Sequence, residues 1–311
     1  MPTTDSLRPH ACAAQSRQSQ ECLAGTASRA QRWVLLEQPG AWGKNALAES
    51  SLPAEIGEHL LRLKDQVPAR VVLLRRPGGR KPSSARRTMF VAHTSPTGGW
   101  LEQLELADVR EMLDVDVTPL SKGLTVGGTR QTRPHYLVCT NGKHDPCCAQ
   151  YGLPVARVLQ AAVADRVWEC SHIGGDRFAG NLVSLPDGFF YGRLDPDTAR
   201  TVVAATESGQ IALDYWRGRS ALPFAWQAAE AAIRREFDLA TPEALTFLRG
   251  TRVDDDRHQV WFVLADRRRL EVTVVEQRSD DSRALTCSGN AGRVPVFALD
   301  NWKTLPANDP Q

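Results

Sequence analysis

Four of the seven cysteines in this 311-residue chain fall in one short stretch, at Cys139, Cys147, Cys148 and Cys170. Thiolates and imidazoles are soft-to-borderline ligands, suited to iron–sulfur clusters or to zinc. Cys139 ends an apolar run, and Cys148 follows after eight residues that are polar and rich in turn formers, so this loop can wrap around an object. A second segment, Glu169-Cys-Ser-His-Ile-Gly-Gly-Asp-Arg-Phe-Ala-Gly-Asn181, also starts at a strand end and supplies Cys170 and His172. Residues two apart on an extended strand face the same side, so Cys170 and His172 would point together. The set Cys139, Cys148, Cys170 and His172 would also suit tetrahedral zinc. Gly174 and Gly175 allow backbone N–H groups to turn inward as a nest. Hydrogen bonds of that kind tune the potential of a cluster. Arg177 would offset the charge of a thiolate-bound cluster, or else is an ordinary surface charge.

Other candidates carry less. Cys12, Cys22 and Cys287 stand alone and read as small buried hydrophobes. Cys147 is adjacent to Cys148 and reads as packing or a spare thiol, replacing Cys148 as ligand if the register shifts by one. His93, His135 and His144 are single histidines, of which His144 lies in the cysteine loop and could relay a proton. The absence of Cys-x-x-Cys argues against a thiol–disulfide oxidoreductase. No Gly-rich nucleotide loop or flavin signature is present, so electrons would come from a partner reductase.

Composition bounds the class. Hydrophobic residues make up 42% and charged residues 24%, as in globular proteins, and the net charge of +2 gives no case for a nucleic-acid or membrane-surface binder. No apolar run approaches the roughly 20 residues that span a bilayer. The first residues lack the apolar core of a signal peptide. The expected location is therefore the cytoplasm, where disulfides are disfavoured.

The elements that must position these groups follow from periodicity. Residues 1–22 are polar and expected to be loosely ordered. Strands are expected at 33–37, 70–75, 89–93 and 100–106, with a helix signalled by Ser50-Ser-Leu-Pro53 whose apolar positions Ile56, Leu60, Leu61 and Leu63 have helical spacing. A further helix is expected at 107–113, and the basic stretch 75–87 reads as an exposed loop. The middle third repeats this order: a strand at 135–139, a loop, a helix near 154–163, strands at 167–170, 181–185 and 189–193, and a helix capped by Asp197. Residues 23–130 and 131–222 are thus expected to be two thioredoxin-like α/β units, the first without the cysteines. Residues 223–311 read as a small α+β domain. It has an amphipathic helix at 224–237 with Trp226, Ala229, Ile233 and Phe237 on one face. Strands follow at 260–264, 270–275 and 294–299, and Asp254-Asp-Asp256 forms a solvated turn.

Val138-Cys-Thr-Asn-Gly, Cys148 and Gly152, then Trp168-Glu-Cys-Ser-His-Ile-Gly-Gly-Asp-Arg-Phe-Ala-Gly-Asn-Leu-Val, Leu185-Pro-Asp-Gly and Tyr191-Gly-Arg resemble the sucrase/ferredoxin-like family. That family is similar in turn to thioredoxin-like [2Fe–2S] ferredoxins. Leu23-Ala-Gly-Thr-Ala, Gln38-Pro-Gly-Ala-Trp-Gly43 and Pro223-Phe-Ala-Trp-Gln-Ala-Ala-Glu230 extend the resemblance over most of the chain. It implies a [2Fe–2S] cluster and one-electron transfer, with Cys139 and Cys148 on one iron and His172 on the other. In bis-histidine members a second histidine follows four residues later, where this chain has Asp176. The fourth ligand is therefore Cys170 or Asp176, with thiolate chemistry favouring Cys170 and position favouring Asp176. The protein reads as an electron carrier more than an enzyme with its own substrate. A structural zinc site and a cluster-free binding protein are the alternatives. The word sucrase finds no support, since no carboxylate pair has assignable acid and base roles.

Overall fold

The computed structural model describes residues 11–79 and 85–306. Residues 1–10 of the segment expected to be loose lie outside the described residues. From Ala11 on that expectation fails: helix α1 (Cys12–Gln18) buries Cys12, Ala13 and Ser16. Its small side chains pack with Cys147, Tyr151 and Ala179, contacts between distant segments that local composition does not reveal.

The first half of the main sheet starts at β1 (Arg32–Glu37), whose continuous apolar run suits a strand covered on both faces. Helices α2 (Ala46–Glu49) and α3 (Ala54–Gln66) lead to β2 (Arg70–Arg75), which runs parallel to β1. Strands β3 (Arg87–His93), β4 (Trp100–Leu106) and the short β5 (Thr129–Arg130) then add antiparallel neighbours. Of the apolar residues expected on α3, Ile56, Leu60 and Leu63 are buried, whereas Leu61 is exposed. The helix expected at 107–113 is a 3-10 segment, Val109–Asp114, begun by the Asp108 side chain accepting from the Arg110 N–H.

The second half of the sheet follows from residue 135. It comprises β6 (His135–Cys139), α4 (Pro146–Val163), β7 (Val167–Cys170), β8 (Leu182–Leu185), β9 (Phe189–Tyr191), α5 (Pro196–Glu207) and β10 (Trp216–Arg219). One ten-stranded mixed sheet results, in the order β10-β9-β8-β6-β7-β2-β1-β3-β4-β5. Each half runs β4-β3-β1-β2 or β9-β8-β6-β7, with one parallel pair and antiparallel neighbours. The halves meet where β2 pairs antiparallel with β7, Leu74 opposite Cys170 and Arg75 opposite Glu169.

That seam carries a buried charge pair. Both Arg75 Nε and Nη2 donate to Glu169 Oε2, at 2.9 and 2.7 Å, and Thr140 Oγ1 donates to the same oxygen. Arg75 is therefore not part of the exposed basic loop expected at 75–87; it is buried against Glu169 and lies over the Trp42 ring. Residues 80–84 of that stretch lie outside the described residues.

The sheet curls upon itself. Trp33 on β1 reaches within 6.2 Å of Phe190 on β9, although four strands lie between them in the sheet order. The enclosed layer contains Trp33, Phe90, Trp168 and Phe190 together with Cys139, Cys148 and Cys170. Helix α3 covers the outer face of the first half, and α4 and α5 that of the second.

Helix α6 (Phe224–Glu236) packs on a separate antiparallel sheet of β11 (Leu245–Arg252), β12 (Arg257–Leu264), β13 (Arg269–Arg278) and β16 (Pro295–Leu305). The three strands expected in this region correspond to β12, β13 and β16. Strand β11 and the two-residue pair β14 (Arg283–Ala284) and β15 (Ala291–Gly292) were not anticipated.

Buried in the curl, His135 packs edge-on against Phe90 at 5.0 Å, and its Nδ1 has no hydrogen-bond partner among the described residues. Burial first, then Arg166 and Arg76, pushes its pKa down from 6.5 to about 4. The unfolded chain therefore takes up this proton first as pH falls, and stability is lost between pH 6.5 and about 4. Denaturant titrations across that window should show wild type losing about 1–3 kcal/mol more than His135→Phe. Parallel pH profiles would contradict the assignment.

Candidate metal centre

Cys139 closes β6, and Cys148 lies in the first turn of α4. The turn forms earlier than the sequence suggested, at Pro146 instead of near Pro154, because Asp145 caps it and proline is pre-organised at a first helical position. Both Cys147 and Cys148 are thus helical, not part of a wrapping loop. Successive helical side chains diverge by about 100°. Cys148 turns toward Cys139, while Cys147 turns to Cys12 and Cys287.

Helix α4 can lie this close because position 152 is glycine. A Cβ there would stand 2.1 Å from the Cys139 carbonyl oxygen, a distance no real side chain tolerates. Gly152 and Cys148 are one turn apart, so the same approach brings Cys148 over the end of β6.

His172 and Asp176 come from the loop after β7. Strand β7 ends at Cys170, so the alternation that would have aimed Cys170 and His172 together does not continue. Gly174 and Gly175 both take positive φ, +96° and +81°, and a side chain at either would strike Ser28 or the Arg217 guanidinium. This turn feeds a single 3-10 turn, Asp176–Phe178, and returns Asp176 toward His172.

The donor atoms of Cys139, Cys148 and His172 lie within 4.8 Å of one another, as do those of His144, His172 and Asp176. His172 Nδ1 stands 2.9 Å from Asp176 Oδ1, and Cys148 Sγ donates to the same oxygen at 3.3 Å. His144 stacks on His172 at 3.7 Å, with Nε2 3.6 Å from Asp176 Oδ2. Asp176 is 2% exposed, whereas His144 and His172 keep about a quarter of their side chains in solvent, 28% and 26%. The imidazoles form part of the wall of a cleft of about 800 Å³ that also contains Arg29, Lys44, Lys64 and Arg70.

Electrostatics bind the group together. Hydrogen bonding from Cys148, then from His172, holds Cys139 well below the usual thiol range; Cys148 is pushed up in turn. Burial disfavours the His172 imidazolium, but Asp176 and Cys139 outweigh it and raise the pKa to about 9. Burial likewise opposes the Asp176 carboxylate, and His172 more than compensates, so its pKa lies below the ordinary value.

The remaining expected residues lie elsewhere. Cys170 sits opposite Cys139 across β6 and β7, fully buried in the enclosed layer, and belongs to neither donor group. Arg177 pairs with Glu21 at 2.8 Å and lies over Phe178. Arg70, which sequence reasoning missed, has Nη2 3.5 Å from the His172 carbonyl, and burial lowers its pKa from the usual guanidinium value. Cys12 is buried as expected, but Cys22 and Cys287 are exposed, both in irregular segments outside helices and strands. His144 and Asp145 were also undervalued; the pattern His-Asp-Pro ahead of two cysteines was a helix-start signal.

A curled α/β sheet with Cys, His and Asp donors clustered where a strand end meets a helix start defines a protein able to hold a metal. The sucrase/ferredoxin-like family model matches residues 23–218, and the chain belongs to that family. No curated protein and no solved structure matches it.

Gly152→Ala tests whether close helix approach creates the site. Forcing α4 off the Cys139 carbonyl should destabilise the protein by about 1–3 kcal/mol. It should also lower metal retained after dialysis at least severalfold. A variant with unchanged melting and unchanged metal content would contradict this account.

Proposed function

We propose that the protein is a one-electron carrier whose [2Fe–2S] cluster is held by Cys139 and Cys148 on one iron and by His172 and Asp176 on the other. The observation that carries the reading is the His172 ring. Its Nδ1 is buried 2.9 Å from the Asp176 carboxylate, and the ring lies within reach of two thiols. Such a donor set, with thiolates at one end and imidazole at the other, fits a mixed-ligand cluster. When bound, the cluster would accept and release single electrons. The chain's own residues hold it, place the imidazoles at the cleft and supply Arg70 as the nearby positive charge.

Asp176 is preferred to Cys170 as fourth ligand because it stands beside His172, its partner on the same iron, while Cys170 is in neither donor group. The matching strand order of the two half-sheets supports reading them as copies of one thioredoxin-like unit, with the cysteines in the second only. Electrons would come from a partner reductase with an acidic docking face, since Arg29, Lys44, Lys64 and Arg70 oppose a single acid, Glu49, in the cleft. A reducing, cytoplasmic setting would keep the cysteines free. One observation favours zinc as a second reading: the donors are compact enough, within 4.8 Å, for a single ion.

Anaerobically purified protein should be coloured, bleach with dithionite, and contain iron and acid-labile sulfide in equal amounts. His172→Ala and Asp176→Ala should lose most of the cluster, and Cys170→Ser should keep it. A colourless protein holding only zinc would sink the electron-transfer reading. Stopped-flow reduction by an acidic flavodoxin should slow about tenfold in Lys44→Glu/Lys64→Glu and fall with added salt. Equal rates in wild type and variant would remove the cleft as docking site.

A further inference from the structure

Three cysteines far apart in sequence converge outside the site described above. Cys12 on α1, Cys147 in the first turn of α4 and Cys287 in the turn between β14 and β15 form a triangle. Their Sγ···Sγ distances are 3.7 Å for Cys12 and Cys147, 3.4 Å for Cys147 and Cys287, and 3.6 Å for Cys287 and Cys12. A disulfide would require about 2.0 Å and can join only two of the three. Thiolates sharing one tetrahedral zinc, each about 2.3 Å from the ion, stand about 3.8 Å apart.

A carboxylate completes the set. Asp145 is fully buried, and its oxygens approach Cys12 Sγ at 3.8 and 4.0 Å. Oδ1 accepts from the Cys147 N–H at 2.9 Å and Oδ2 from the Cys287 N–H at 2.6 Å. Among the described residues, no lysine, arginine or histidine forms an ion pair with it, so this buried carboxylate lies beside three thiols with no counter-charge from them. Cys287 is exposed, which leaves an open route for an ion.

We propose that Cys12, Cys147, Cys287 and Asp145 form a second metal centre that binds one zinc ion and fastens α1 and the β14–β15 turn to the start of α4. Binding replaces the thiol protons with the ion; the protons leave to solvent and no electrons move. The N-terminal end of α4 offsets part of the excess negative charge. Because Cys147 and Cys148 are neighbours in one helical turn, the zinc centre would brace the helix that carries Cys148. The centre stands on its own donor atoms and does not depend on what Cys139 and Cys148 hold.

The test uses the full chain, stripped of metal under reducing conditions and titrated with cobalt(II) and then zinc. A Cys139→Ser/Cys148→Ser variant should still take up one cobalt with the intense visible and thiolate charge-transfer bands of a tetrahedral sulfur-rich site. Zinc should displace that cobalt. Cys12→Ser/Cys287→Ser should lose those bands from this centre, and Asp145→Asn, which can still cap the helix, should bind zinc about 10–100-fold more weakly. The proposal is overturned if the Cys139→Ser/Cys148→Ser variant shows no tetrahedral cobalt spectrum. It is equally overturned if the spectrum of that variant is unchanged on adding Cys12→Ser and Cys287→Ser. Failure of the iron and sulfide assay would leave this result untouched.

Discussion

The carboxylate of Asp145 is the constraint on which the metal-binding region depends. It is fully buried, caps α4 through the Cys147 N–H, and receives the Cys287 N–H on its other oxygen. Its backbone carbonyl accepts from the Cys148 N–H at 3.0 Å. By starting the helix at Pro146, it puts two consecutive cysteines on one turn and sends them in different directions. Cys148 faces the strand end at Cys139, and Cys147 faces Cys12 and Cys287. One cap thus sets both donor groups, and a helix beginning at Pro154 would set neither.

The sheet supplies the other half of the geometry. The seam between β2 and β7 brings the first half-sheet against the strand that leads into His172, and the Arg75–Glu169 pair is buried there. Removing one partner of such a pair costs about 3–5 kcal/mol, because the other is left charged and unsatisfied. Thr140, next to Cys139, donates to the same Glu169, so the seam and the start of the cysteine loop share one hydrogen-bond network. Another buried network, Glu230 between Arg219 and Arg234, ties β10 to α6. The curled sheet, in which Trp33 meets Phe190, encloses the sulfurs while the imidazoles remain at the cleft.

Much of this was legible in the sequence because it is local. Strand runs such as Trp33-Val-Leu-Leu show in the residues themselves, and the chemistry of Cys139, Cys148 and His172 pointed to the group the structure assembles. What was hidden is what distance in the chain conceals. Cys12 and Cys287 looked isolated because their partner lies 135 and 140 positions away. The pairing of Cys170 with His172 rested on strand alternation, which stops at Cys170. Arg75 looked solvent-exposed because its counter-charge, Glu169, belongs to the other half of the sheet. Arg177 offered a plausible charge for a cluster, but its guanidinium is engaged by Glu21, which lies in a segment whose composition gave no sign of order.

The central claim is a mixed-ligand two-iron centre at Cys139, Cys148, His172 and Asp176. Iron Mössbauer spectroscopy of the anaerobic protein tests it most directly. Two doublets of equal area are expected, one from a sulfur-rich iron and one from an iron with nitrogen and oxygen ligands, and both should fade together in Asp176→Ala. A single doublet from two equivalent irons, or a protein without iron, would contradict it.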